Sequence, residues 1–177
     1  MVPFINTFLK KSNRWGFFFV AVLGTLLHFT FEWFGQHPVV GLFSAVNEST
    51  WEHMKLLFFP SLLFFLVEYK KYGASSRDLL AARTLGLLCG LAFIPVSFYT
   101  YTGIIGRGFT VLDIAIFFLS AFLTFWISTR LLQHPQRLTS LAAAIILFVL
   151  LALFFLFTFF PPHIQLFLDP VTFTYGI

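Results

Sequence analysis

His28 and Glu32 lie four residues apart, as do Glu48 and Glu52, and His53 follows directly. Four-residue spacing stacks side chains on one helix face. Imidazole and carboxylate together suit Zn²⁺, Mn²⁺ or Fe²⁺. A catalytic zinc takes three protein ligands and keeps a fourth position open. The candidate metal ligands are therefore His28, Glu32, Glu48, Glu52 and His53. Glu48 and Glu52 are also the candidate catalytic carboxylates, either one spare to act as general base on a metal-bound water. Asn47, Tyr101, Arg107, Asp113 and Asp169 complete the polar candidates, and Thr25 lies one turn before His28.

Plainer chemistry competes for the same residues. Ser49-Thr-Trp-Glu52 fits a capping box, Glu48 suits the positive end of a helix dipole, and Thr110-Val-Leu-Asp113 allows the same account. Buried ion pairs, Glu52 with Lys55 or Arg107 with Asp113, could simply fix packing. His37 and His163 neighbour prolines in loops, and Trp33, Trp51 and the tyrosines fit an interfacial aromatic belt. Runs that betray other chemistry are missing: no Gly-x-Ser-x-Gly, no His-Glu-x-x-His, no phosphate-cradling Gly-Lys-Ser/Thr loop and no dinucleotide fingerprint.

The elements that carry these residues are set by composition. Of 177 residues, 59% are apolar and 28 are Phe. Charged residues make up 10%, against about 25% in soluble domains, and mean hydropathy is +0.90. A soluble fold of this size could not hide so much apolar surface. The chain reads as an all-α, polytopic membrane bundle, a single domain over 1–177, with the bilayer as its first partner. Disorder, a disulfide scaffold and nucleic-acid binding are excluded. The single cysteine, Cys89, allows no internal disulfide. Five stretches are long enough to span: approximately 15–34, 51–69, 79–101, 111–131 and 138–160. The first is too long for a signal peptide and ends without a cleavage site, so it is expected to remain. Pro60 and Pro95 fall within spans, and Gly86-Leu-Leu-Cys-Gly90 is a small-xxx-small pattern that lets helices approach closely.

Orientation follows from the bases. Lys10, Lys11, Arg14, Lys70, Lys71, Arg77, Arg83, Arg130 and Arg137 fall on one side by this count, leaving Lys55 and Arg107 on the other. The positive-inside rule predicts a cytoplasmic N-terminus and an extracytoplasmic C-terminus. Five of seven acids and four of five histidines then share the outer side. That rule does not explain their gathering, because acids respond little to it. Two outer segments stand out: a 16-residue loop from Gly35 to Thr50, and a 17-residue apolar, Pro-containing tail from Pro161 to Ile177. Both are expected to fold back over the outer end of the bundle.

The run Asn47-Glu48-Ser49-Thr50-Trp51-Glu52-His53, with His28…Glu32-Trp33, Tyr99-Thr-Tyr101-Thr-Gly103, Asp113-Ile114 and Pro161-Pro162…Asp169-Pro170…Tyr175-Gly176, resembles a family of small bacterial multi-pass membrane proteins labelled as a domain of unknown function. The resemblance implies a bacterial cytoplasmic-membrane protein and supplies no activity. Asn47-Glu48-Ser49…His53 is also faintly similar to a motif of the membrane-embedded zinc hydrolases that include alkaline ceramidases. Those have seven spans and a His pair in the last, whereas span five here contains no His. Three functions are open at this point. One is a divalent-metal site, zinc for example, serving a membrane-embedded hydrolase with a lipid or small-molecule ligand at the outer side. The others are proton, cation or small-solute transport, and a structural or partner-binding subunit.

Overall fold

A computed structural model describes residues 2–72, 78–134 and 136–177, with side chains from residue 12 onward. The side chains of Lys10 and Lys11, together with Arg77 and Pro135, lie outside the described residues.

The described residues form helices joined by short segments, with no strand. They are α1 (Val2–Trp33), α2 (Pro38–Gly41), α3 (Thr50–Tyr72), α4 (Leu79–Ile105), α5 (Thr110–Leu131) and α6 (Ser140–Phe159). All but α2 include a stretch long and apolar enough to cross a membrane. In lipid a spanning segment must satisfy its own backbone, which a helix does.

Helix bounds differ from the apolar runs where polarity and helicity part company. α1 begins at Val2, not near Trp15, because Lys10, Lys11 and Arg14 end an apolar run but do not break a helix. α4 continues past Tyr101 to Ile105 and stops at Gly106, whose φ of 83° places it in the left-handed region. Its amide donates to the Thr102 carbonyl at 2.7 Å, the usual role of glycine after a helix. α6 starts at Ser140, with the Thr139 hydroxyl accepting from the Ala142 amide. Pro60 and Pro95 both lie inside helices, as expected.

α3 and α4 form the interior: 67% and 61% of their spanning windows are buried, against 22–28% for the others. α1 and α5 flank α3 and α4, and α6 packs mainly on α4. Gly86 and Gly90 let α4 meet α5 backbone to backbone; a Cβ on Gly86 would sit 2.4 Å from the Thr124 carbonyl oxygen. Outward residues such as Val22, Phe148 and Leu141 are apolar and exposed, a lipid-facing surface.

Side-chain contacts show α1, α3, α4 and α5 alternating in direction, and Phe157 near the end of α6 meets Trp51 at the start of α3. At one end Ser12, Asn13, Glu68, Arg83 and Ser128 join α1, α3, α4 and α5. At the other, Thr50 meets Tyr99 and Tyr101 meets Asp113. Loop and tail cover this second end. Lys55 on α3 donates to the carbonyls of Gly41 at 2.8 Å and Ser44 at 3.3 Å, and so draws the loop onto the bundle. Phe167 of the tail packs against Trp51, ring centroids 4.9 Å apart and planes tilted by 41°. The Tyr99 hydroxyl donates to Gln165 O, and the Asn47 amide donates to Gly176 O.

Candidate metal centre

The polar end is assembled from the segment just before α3. Asn47 Oδ1 accepts from the Ser49 amide at 2.9 Å, closing a tight turn of the kind Asn favours. Glu48 therefore precedes the helix, and the four-residue helical spacing to Glu52 does not apply. The two carboxylates separate. Glu52 is buried, 2.6 Å from Lys55 Nζ, and accepts the Val46 amide at 3.0 Å. Its charge is spent on the loop. Ser49 Oγ accepts from the Glu52 amide at 3.4 Å, but the Ser49 amide goes to Asn47, so only half of the expected capping box forms.

Glu48 faces two imidazoles. Its carboxylate oxygens lie 3.4 Å from His53 Nε2 and 3.9 Å from His28 Nε2. The imidazole rings of His28 and His53 are 5.4 Å apart by centroid. One ligand atom from each of the three residues falls within 4.8 Å of the others. His53 is oriented by its second nitrogen, since Nδ1 sits 3.0 Å from the Ser49 carbonyl. A carbonyl only accepts, so Nδ1 carries a proton and Nε2 is the nitrogen turned toward Glu48. A ring whose second nitrogen is held by a carbonyl in this way is the usual arrangement of a metal-binding histidine. His28 Nδ1 is buried and has no hydrogen-bond partner.

The three residues open on a cavity of about 710 Å³ between α1, α3, α4, α5 and the tail. Asp113 lines the same cavity. The N-cap position of α5 is Phe109 without a side-chain cap, so Asp113 is not used for capping as the sequence allowed. Instead its Oδ1 accepts the Tyr101 hydroxyl, which in turn accepts the Phe109 amide at 3.1 Å. Arg107 lies over the Phe109 ring, 4.7 Å from its centroid, and no ion pair joins it to Asp113 among the described residues.

The remaining candidates sit elsewhere. Glu32 is exposed and outside the cluster. Asp169 is buried in the tail, accepting the Val171 amide at 2.7 Å, the Thr172 amide at 3.3 Å and the Thr172 hydroxyl at 2.9 Å. Burial pushes its carboxyl up, but these bonds and the Glu48 amide outweigh that effect and hold it below the usual range. His37 accepts the Val39 amide at the start of α2, a structural cap.

Arg83 was counted in the sequence only as a flanking base. It is fully buried, bidentate to Glu68 at 2.7 and 2.8 Å, and bonded to Asn13 and Ser128. The signal was its position inside the apolar run from Leu79, where ionisable groups need partners.

Fold and site define a multi-pass α-helical membrane protein with a His–Glu–His cluster beside an open cavity between helices. The chain belongs to a family of unknown function (DUF6512), whose profile matches residues 5–177. No curated protein and no solved structure matches the chain.

Proposed function

We propose that the protein holds one divalent transition-metal cation, zinc by preference of its ligands, between His28, Glu48 and His53. The carrying observation is His53 Nε2, aimed by the Ser49 carbonyl on Nδ1, facing a Glu48 oxygen at 3.4 Å with His28 Nε2 on the other side of that carboxylate. Neutral imidazoles set on either side of a carboxylate would hold a cation between them. Two imidazoles and one carboxylate would supply the three protein ligands of an open zinc site beside the cavity they line. A cation held by His28, Glu48 and His53 would acidify a water in the cavity, the chemistry that hydrolysis of an acyl bond at the membrane interface would need. We place the protein in the bacterial cytoplasmic membrane with this end outside. Transport has less support, because the buried Arg83–Glu68 network ties four helices together at the opposite end.

Purified protein, stripped by chelator and dialysed against Zn²⁺, should retain one equivalent by elemental analysis. His28→Ala, Glu48→Ala and His53→Ala should each lose it and lose the thermal stabilisation that zinc confers. Glu32→Ala should retain both. Absence of bound metal, with no rise in melting temperature on adding Zn²⁺ or Mn²⁺, would leave a plain imidazolium–carboxylate pair as the better account.

A further inference from the structure

The cavity beside the cluster has two unlike parts. Its depth is apolar, formed by Leu56, Ile94 and Phe117, while its polar edge holds the His–Glu–His cluster on one side and Asp113 on another. Phe29 of α1 with Ile114 and Phe118 of α5 line it as well, and all three are substantially exposed apolar residues on helices that face lipid. A molecule entering there comes from the bilayer, with a chain for the depth and a head for the edge.

Charge selects the head. Two carboxylates, Glu48 and Asp113, line the cavity, and a divalent cation at the cluster would offset both, so an ionised head of either sign would leave a charge without a counter-charge in the lining. Asp113 Oδ1 is engaged by Tyr101, and no bond to its Oδ2 exists among the described residues. That oxygen is a free acceptor, fit for a hydroxyl donor. We infer that this site takes an uncharged, hydroxyl-bearing, single-chain amphiphile of the monoacylglycerol class, reached laterally between α1 and α5. The inference rests on the proposed metal site for the charge balance and names its substrate class.

The test uses the full chain in phosphatidylcholine nanodiscs, loaded with zinc, and a 1-monoacylglycerol bearing a diazirine in its acyl chain. Photolysis should label cavity residues of α1 and α5. Monooleoylglycerol should compete about tenfold better than oleate or oleylamine. Thr25→Trp, which adds bulk at an exposed position lining the cavity, should reduce labelling, and Val22→Trp, exposed on the same helix but outside the cavity, should not. Asp113→Asn removes a negative charge and should let oleate compete about fivefold better. Labels spread along the lipid-facing surface, indifference to Thr25→Trp, or equal competition by all three amphiphiles overturns the inference. Zinc is measured on the same samples with a chromophoric chelator. Captured monooleoylglycerol without zinc sinks the metal reading alone; bound zinc without capture sinks this inference alone.

Discussion

Arg83 carries the largest single-residue consequence. Its guanidinium is buried against Glu68, Asn13 and Ser128, and over the Phe125 ring at 5.3 Å. A buried pair of this kind adds little net stability, but breaking it strands a charge and costs about 3–5 kcal/mol. Arg83→Met should therefore destabilise the protein strongly in denaturant titrations, and the double change Arg83→Met with Glu68→Leu should recover most of the loss. A single change as mild as the double one would mean that Glu68 finds water or another partner. At this scale the sequence was legible in part. His28, Glu48 and His53 were visible because histidines and acids are rare in so apolar a chain. That Glu52 leaves their company was not, since the choice depends on where helix α3 begins and on Lys55 reaching back to the Gly41 and Ser44 carbonyls. Arg83 was hidden for a similar reason: spacing along one helix says nothing of the acid that faces it from another.

The elements divide into spans and the segments that cap them. Hydropathy located all five spans, because helices in lipid must be apolar for about twenty residues, and missed the helical start of α1 before Trp15 and the last turn of α4 up to Ile105. The Gly86–Gly90 pattern carried real packing information. Gly86→Ala should force α4 and α5 apart, at a cost of about 1–3 kcal/mol, whereas Gly103→Ala, with open space around it, should be neutral or mildly stabilising in the same melts. The tail depends on Asp169. Its carboxyl is held below the usual value of 3.8, so its contribution is complete above that pH and is lost as pH falls through the lower folded value. Acidification should release the tail from Trp51, seen as a shift in tryptophan emission. Asp169→Ala should release it already at neutral pH, and an unchanged emission in that variant would show that Phe167 and the backbone bonds suffice. The sequence predicted that the tail folds back, from its apolar content. It could not show the Asp169 turn that shapes it, which depends on the Val171 and Thr172 amides closing locally.

For the whole molecule, alternation of five spans puts the two helix ends on opposite faces of the membrane, so one labelling result orients everything. In the sequence, nine of the eleven bases fall before the first span or in and beside the connections after α3 and α5, and in short loops such bases stay cytoplasmic. The His–Glu–His cluster, the cavity mouth and the tail share the opposite end, which the proposed orientation places outside. Cys89 is the single native thiol, so a Cys89→Ser background allows one cysteine at a time. In intact cells Gln36→Cys and Gln165→Cys should react with an impermeant maleimide. Gln133→Cys, on the segment after α5, should react only once the membrane is opened. The reverse pattern would turn the cluster toward the cytoplasm, and metal and amphiphile would then have to reach it from the other leaflet.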